Sequence, residues 1–140
     1  MSYGMAAALQ SAIWQRLSGD PALAALVTGA IYDAAPQGAV PDLYVVLGPE
    51  DVRESGDGTA AGAEHRVPVS VVSAAAGFLV AKQTAGAVSD ALDGAALTLD
   101  RGQLVSFNFL RARARRSRDG QHRRIDLTFR ARVDDGARSN

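Results

Sequence analysis

The 140-residue sequence contains no cysteine, which excludes disulfide staples and thiolate metal sites. A cytosolic origin suits that absence. Lysine is nearly missing as well: Lys82 stands alone, so the basic side chains are arginines. No apolar run approaches the roughly 20 residues that a membrane helix needs. The opening Met1-Ser2-Tyr3-Gly4-Met5 lacks the basic stretch of a secretory signal. The expectation is a chain that stays in the cytoplasm where it is made and enters no membrane.

Chemistry-bearing residues are equally sparse. Nucleophilic catalysis requires a Ser, Cys or Thr beside an activating base. The two histidines, His65 and His122, sit in no motif, and both read as solvated, His65 in a flexible loop. No histidine–carboxylate cluster has metal-ligand spacing. Gly56-Asp57-Gly58 lacks the Gly-Lys-Ser/Thr ending of a phosphate loop. The acidic residues are scattered, so no carboxylate pair suits acid–base work. The sequence therefore predicts no enzyme, no cofactor and no metal.

What is present describes an ordinary globular domain. Hydrophobic residues make up 47% and charged residues 21%, enough apolar material for one core spanning 1–140. Met5, Leu9, Ile13 and Leu17 recur every fourth residue and predict a helix, with Trp14 just off the stripe. Asp20-Pro21 reads as the cap and first position of a short second helix carrying Leu23, Leu26 and Val27. Ile31–Asp33 reads as a short strand. Leu43–Leu47 is continuously apolar, a strand covered on both faces. Residues 51–64 are polar and glycine-rich and read as a long mobile loop, a hairpin tip that a partner would have to order. Val67, Val69 and Val71 alternate with polar positions, a half-buried strand that Pro68 assigns to an edge or a bulge. Ser73 is a candidate cap for a helix carrying Phe78, Ala81, Ala85, Val88 and Leu92.

The last unit is a long hairpin around Asp119-Gly120. That turn pairs Ala114 with Ile125, Ala112 with Leu127 and Leu110 with Phe129 on one face. The other face pairs Arg115 with Arg124, Arg113 with Asp126 and Arg111 with Thr128. Phe107 and Phe109 then fall on the basic face, so either a bulge lies near Leu110 or the rings are exposed for a partner. The tail 134–140 reads as frayed. The fold class is α+β: a mostly antiparallel sheet with helices on one face and a long C-terminal β-hairpin.

Net charge is zero but unevenly placed. Nine arginines and two aspartates lie between Arg111 and Arg132, so the remainder is acidic by the same amount. Such a chain can meet copies of itself, or partners of either sign, through complementary patches. The arginine face has three readings: a protein interface, a solvated ribbon face, or a nucleic-acid site. The missing lysines and the lack of aromatic stacking positions on that face weigh against the last. The candidate interface residues are Arg111, Arg113, Arg115 and Arg124 on the hairpin, with Phe107 and Phe109. Arg53, Glu54, Asp57 and Arg66 join them from the loop region.

The order of short motifs resembles a known family. A Gly-Asp-Pro-Ala-Leu helix start (19–23) precedes Gly29-Ala30-Ile31-Tyr32-Asp33 and the strand Pro41–Gly48. A Val-Pro-Val-Ser-Val-Val strand (67–72) leads into a helix, and the chain closes on Leu127-Thr128-Phe129-Arg130. This layout is similar to the tail-terminator, or tail-completion, proteins of long-tailed phages. The small size and Ala/Arg-rich composition look like the version in alphaproteobacterial gene transfer agents. The resemblance implies a hexameric ring on the last ring of tail-tube protein, which stops tube growth and offers a docking face to a neck or stopper protein. It carries over no catalytic residue. It implies a chain that ends in the tail of a phage-like particle, with DNA passing the ring lumen without specific binding. Another head–tail joining protein is the main alternative. A small nucleic-acid-binding protein using the arginine hairpin is a more distant one.

Overall fold

The computed structural model describes residues 3–34, 37–54 and 62–135. Helix α1, Ala6–Ser18, buries Leu9, Ile13 and Leu17 along the predicted stripe. At Asp20 the side chain accepts a 2.9 Å bond from the Leu23 amide and Pro21 takes the first turn, which starts α2, Pro21–Val27. Both devices meet needs of a helix start: a partner for an orphan amide, and a residue with no amide to orphan.

Six strands follow the α+β expectation. They are β1 Ile31–Tyr32, β2 Leu43–Leu47, β3 Asp51–Glu54, β4 Gly62–Ser73, β5 Gln103–Arg116 and β6 Arg123–Asp134, with helix α3, Leu79–Leu92, between β4 and β5. The sheet order is β1-β2-β4-β6-β5, and β3 pairs with β4 beyond the end of β2. Only the β1–β2 pair is parallel. All three helices pack together, and α3 lies on the sheet through Ala81, Thr84, Ala85, Val88, Ala91 and Leu92. The buried small residues allow the close approach that the alanine content predicts.

Several expectations need correction. Residues 51–54 and 62–64 are paired strand, not loop: Asp51 faces Arg66 and Glu54 faces Ala63. Their ladder bonds to β4 supply the ordering that their polar composition does not. Pro68 sits in the central strand, not at an edge. It lies where β2 gives way to β3, and its carbonyl accepts the Gly48 amide at 2.8 Å. The missing proline N–H therefore falls at the break between two partner strands. A side chain on Gly48 would approach Pro68 Cγ to 3.0 Å, a tight contact that the proline ring would have to yield to.

His65, expected in solvent, is a buried residue of β4. Asp134 ends β6 rather than starting a frayed tail, and Asp135 is buried, held by Arg101 at 3.2 and 2.7 Å. Residues 136–140 lie outside the described residues. Gly102, beside that ion pair, has φ +69° and leaves no room for a Cβ against Met5 and the Asp134 carbonyl.

In the C-terminal hairpin the predicted register holds from Arg111 to Arg116. The connection is longer than two residues: Ser117 N donates to the His122 carbonyl and Gly120 N to the Ser117 carbonyl. Asp119 braces it, accepting from Ser117 Oγ and Gln121 N. A register shift between Phe109 and Arg111 makes Leu110 the extra residue, and Phe109, not Leu110, stands opposite Phe129. The bulge turns both phenylalanines to the core side. Phe107 is 1% exposed and stacks on Phe129 at 5.4 Å. Burying such a ring contributes about 1.5–3 kcal/mol, which favours the bulge over regular pairing.

Candidate interface on the outer strands of the sheet

Strand β5 is one edge of the sheet, and only part of it is sealed. The Gly94 amide, just past the end of α3, donates to the Phe107 carbonyl at 2.7 Å. The Asp93 carboxylate accepts from the Phe109 amide at 2.8 Å. From Leu110 to Arg116 no such closure exists among the described residues, and every one of these residues is exposed. An open stretch of strand keeps alternate backbone donors and acceptors available to another chain.

The two faces of this open stretch differ. On the helix side, Phe109, Ala112 and Ala114 with Ile125 and Leu127 floor a groove whose far wall is Lys82, Ala85, Gly86 and Ser89 of α3. Phe109 remains 41% exposed there. Phe107, expected as an exposed contact beside it, belongs to the core instead, because the Leu110 bulge turns it inward.

The opposite face is basic, and one carboxylate organises part of it. Asp126 accepts from Ser70 Oγ at 2.6 Å, Arg115 Nε at 2.9 Å and Arg124 Nε at 2.9 Å. Burial pushes the Asp126 carboxyl up, but the bonds from Ser70, Arg115 and Arg124 and the Arg124 charge outweigh it and hold the group below its ordinary value. Register places Arg113 directly opposite Asp126, yet the ion pairs form with the diagonal Arg115 and with Arg124 two residues earlier on its own strand. Arg123 bonds to the carbonyls of Gly120 and Ala76 and lies over the Phe78 ring at 5.8 Å. Among the described residues, Arg111, Arg113, Arg116, Arg118, Arg130 and Arg132 have no ion-pair partner. Most of the charge is uncompensated within the subunit.

The remaining candidates sit on β3 and β4, where Arg66 lies opposite Arg130 and Glu64 opposite Arg132. Arg53 pairs with Asp51 at 3.1 Å on exposed β3, and Arg66 with Glu64 at 2.6 Å on β4. Glu54 closes β3, and Asp57 lies outside the described residues. The candidates thus form an arginine group on β5–β6 and a mixed-charge group on β3–β4 that adjoins it through the β4–β6 pairing.

Two residues outside the candidate set also matter, one at an edge and one in the core. Trp14, 44% exposed, donates its indole N–H to the Ile31 carbonyl at 3.2 Å and so blunts the β1 edge. Its place just off the apolar stripe of α1 was the signal. His65 is fully buried, and neither ring nitrogen has a hydrogen-bond partner among the described residues. Burial pushes its pKa below the ordinary histidine value, against the nearby Glu50 charge. No group of His, Asp or Glu among the described residues could hold a metal ion. No described helix is long and apolar enough to cross a membrane.

Comparison with known proteins bears on this arrangement. Residues 11–134 match the family Tail completion protein gp17. A chain of the solved structure of the virion of a native gene transfer agent (GTA) particle is 56% identical, with a TM-score of 0.89. The alignment covers 95% of the present chain and 99% of that one. No curated protein sequence matches.

Proposed function

The chain belongs to the tail completion protein gp17 family, and from that premise we propose that it closes the tail tube of a gene-transfer-agent-like particle as a ring. Its role is structural and its place is in the particle tail. Six copies sit on the last ring of tube protein, stop its growth and present a docking face to the neck. The function needs no catalysis. Completing a tube demands surfaces that are unfinished in the free subunit and finished by neighbours. The open stretch Leu110–Arg116, in which Arg111, Arg113 and Arg116 have no ion-pair partner among the described residues of their own subunit, is the observation that carries the reading. The connection between β3 and β4, with Asp57, meets the tube or the neck. DNA passes the lumen without being held.

Electron micrographs of particles produced without this chain test the proposal. Overlong tails, or tails lacking heads, are expected. Heads without tails would indicate a different neck role, and normal particles would refute a role in tail completion. Salt-sensitive binding of the purified chain to duplex DNA would revive the nucleic-acid reading of the arginines.

A further inference from the structure

The sheet has edges of opposite charge. Strands β1 and β5 lie at its two ends. On the β1 side, the sequence from residue 17 to residue 50 holds Asp20, Asp33, Asp42 and Glu50 and not a single lysine or arginine, and Asp51 just beyond it is paired with Arg53 on β3. On the β5 side lie the nine arginines and two aspartates of residues 111–132. A chain of zero net charge is therefore strongly polar across its width. The surface that best complements the basic edge is the acidic edge of another copy, and a repeated contact of that kind is head-to-tail.

Shape agrees with charge. The basic edge carries the apolar groove of about 310 Å³ floored by Phe109, Ala112 and Ala114. The acidic edge carries a groove of about 520 Å³ between α1 and β1, lined by Ala7, Trp14 and Tyr32 and bordered by Asp33. Trp14 is a large ring left in solvent in the free subunit, as Phe109 is. Aromatic side chains of this kind supply most of the contact energy in protein interfaces when they are covered.

We propose that the β5 edge of one subunit docks on the α1–β1 edge of the next. Phe109, Ala112 and Ala114 meet Trp14 and Tyr32, with Arg111 and Arg113 from one edge and Asp33 and Asp42 from the other. The contact rests on the ring reading for its closure, while its charge and shape stand on this subunit alone.

Charge reversal on the purified full-length chain tests it, with mass read by sedimentation and folding by circular dichroism. The unaltered chain forms multimers that dissociate as salt is raised. The double variant Arg111→Glu/Arg113→Glu and the double variant Asp33→Arg/Asp42→Arg each associate at least about tenfold more weakly. An equal mixture of the two recovers multimers, because alternating copies restore an acid–base match at every contact. If a double variant loses its fold, the single changes Arg113→Glu and Asp33→Arg give the same comparison. Multimers from either reversed variant alone, or a mixture that stays monomeric, overturn the contact. A chain that never associates also overturns it, yet leaves the tail role, judged on particles, untouched.

Discussion

The carboxylate of Asp93, at the end of α3, accepts the backbone amide of Phe109 in β5 at 2.8 Å. This bond sets where the sheet edge stops being closed and starts being available. Asp93→Ala leaves the Phe109 amide without its partner. The expected result is faster hydrogen exchange at Phe109, with Ala131 on the neighbouring strand unaffected, and a stability loss of about 1 kcal/mol. Unchanged exchange at Phe109 would show that the bond does not close the edge.

Arg101 holds the buried Asp135 with two bonds. Removing one partner of a buried pair strands the other charge. Because Arg101 is itself about one-third exposed, Arg101→Ala is expected to lower stability, but by less than breaking a fully buried pair would. Arg101→Lys recovers only part of that, since a single ammonium cannot reproduce the fork. Urea unfolding midpoints distinguish the three chains.

Asp126 is the one described carboxylate among the hairpin arginines that forms ion pairs with them. Asp126→Ala releases Arg115, Arg124 and the Ser70 hydroxyl together and is expected to cost about 1–2 kcal/mol at neutral pH. The wild-type group has its pKa lowered by folding. Its contribution is therefore present above the unfolded carboxylate value, about 4, and lost as pH falls through the folded one. The variant should lack that acid limb in a pH series of melting temperatures.

His65 works with the same sign at milder pH. Burial lowers its pKa, so the unfolded chain binds a proton that the folded chain refuses. Stability is then complete above the unfolded histidine value, about 6.5, and declines as pH drops below it. His65→Leu is expected to flatten stability between pH 7 and 5 and to cost nothing at pH 7, because two buried nitrogens without protein partners are removed. A retained decline in the variant would assign it to another group.

The sequence reveals what depends on local pattern. The stripe of α1, the cap at Asp20-Pro21, the apolar β2 and the register from Arg111 to Arg116 follow from spacing and turn chemistry. It conceals what depends on neighbours distant in the chain. Pro68 is at home in a central strand only because β2 and β3 abut there. His65 looks soluble beside glycines and acids until β3 and β6 pair with its strand. The sequence offers a choice between a bulge and exposed rings at Phe107 and Phe109. Only the energy of stacking Phe107 on Phe129 decides for the bulge. The arginines of the hairpin stand out in sequence, but the shared hold on Asp126 by Arg115 and Arg124 depends on side-chain reach rather than on register.

An unsealed strand usually endangers a protein, because identical edges can zip together into growing ribbons. Here the unsealed stretch of β5 bears Arg111, Arg113, Arg115 and Arg116. Two such edges approaching each other meet strong mutual repulsion before any backbone bond forms. The row of positive side chains thus acts as a fence, keeping subunits that have not yet found their place from stacking in the wrong one.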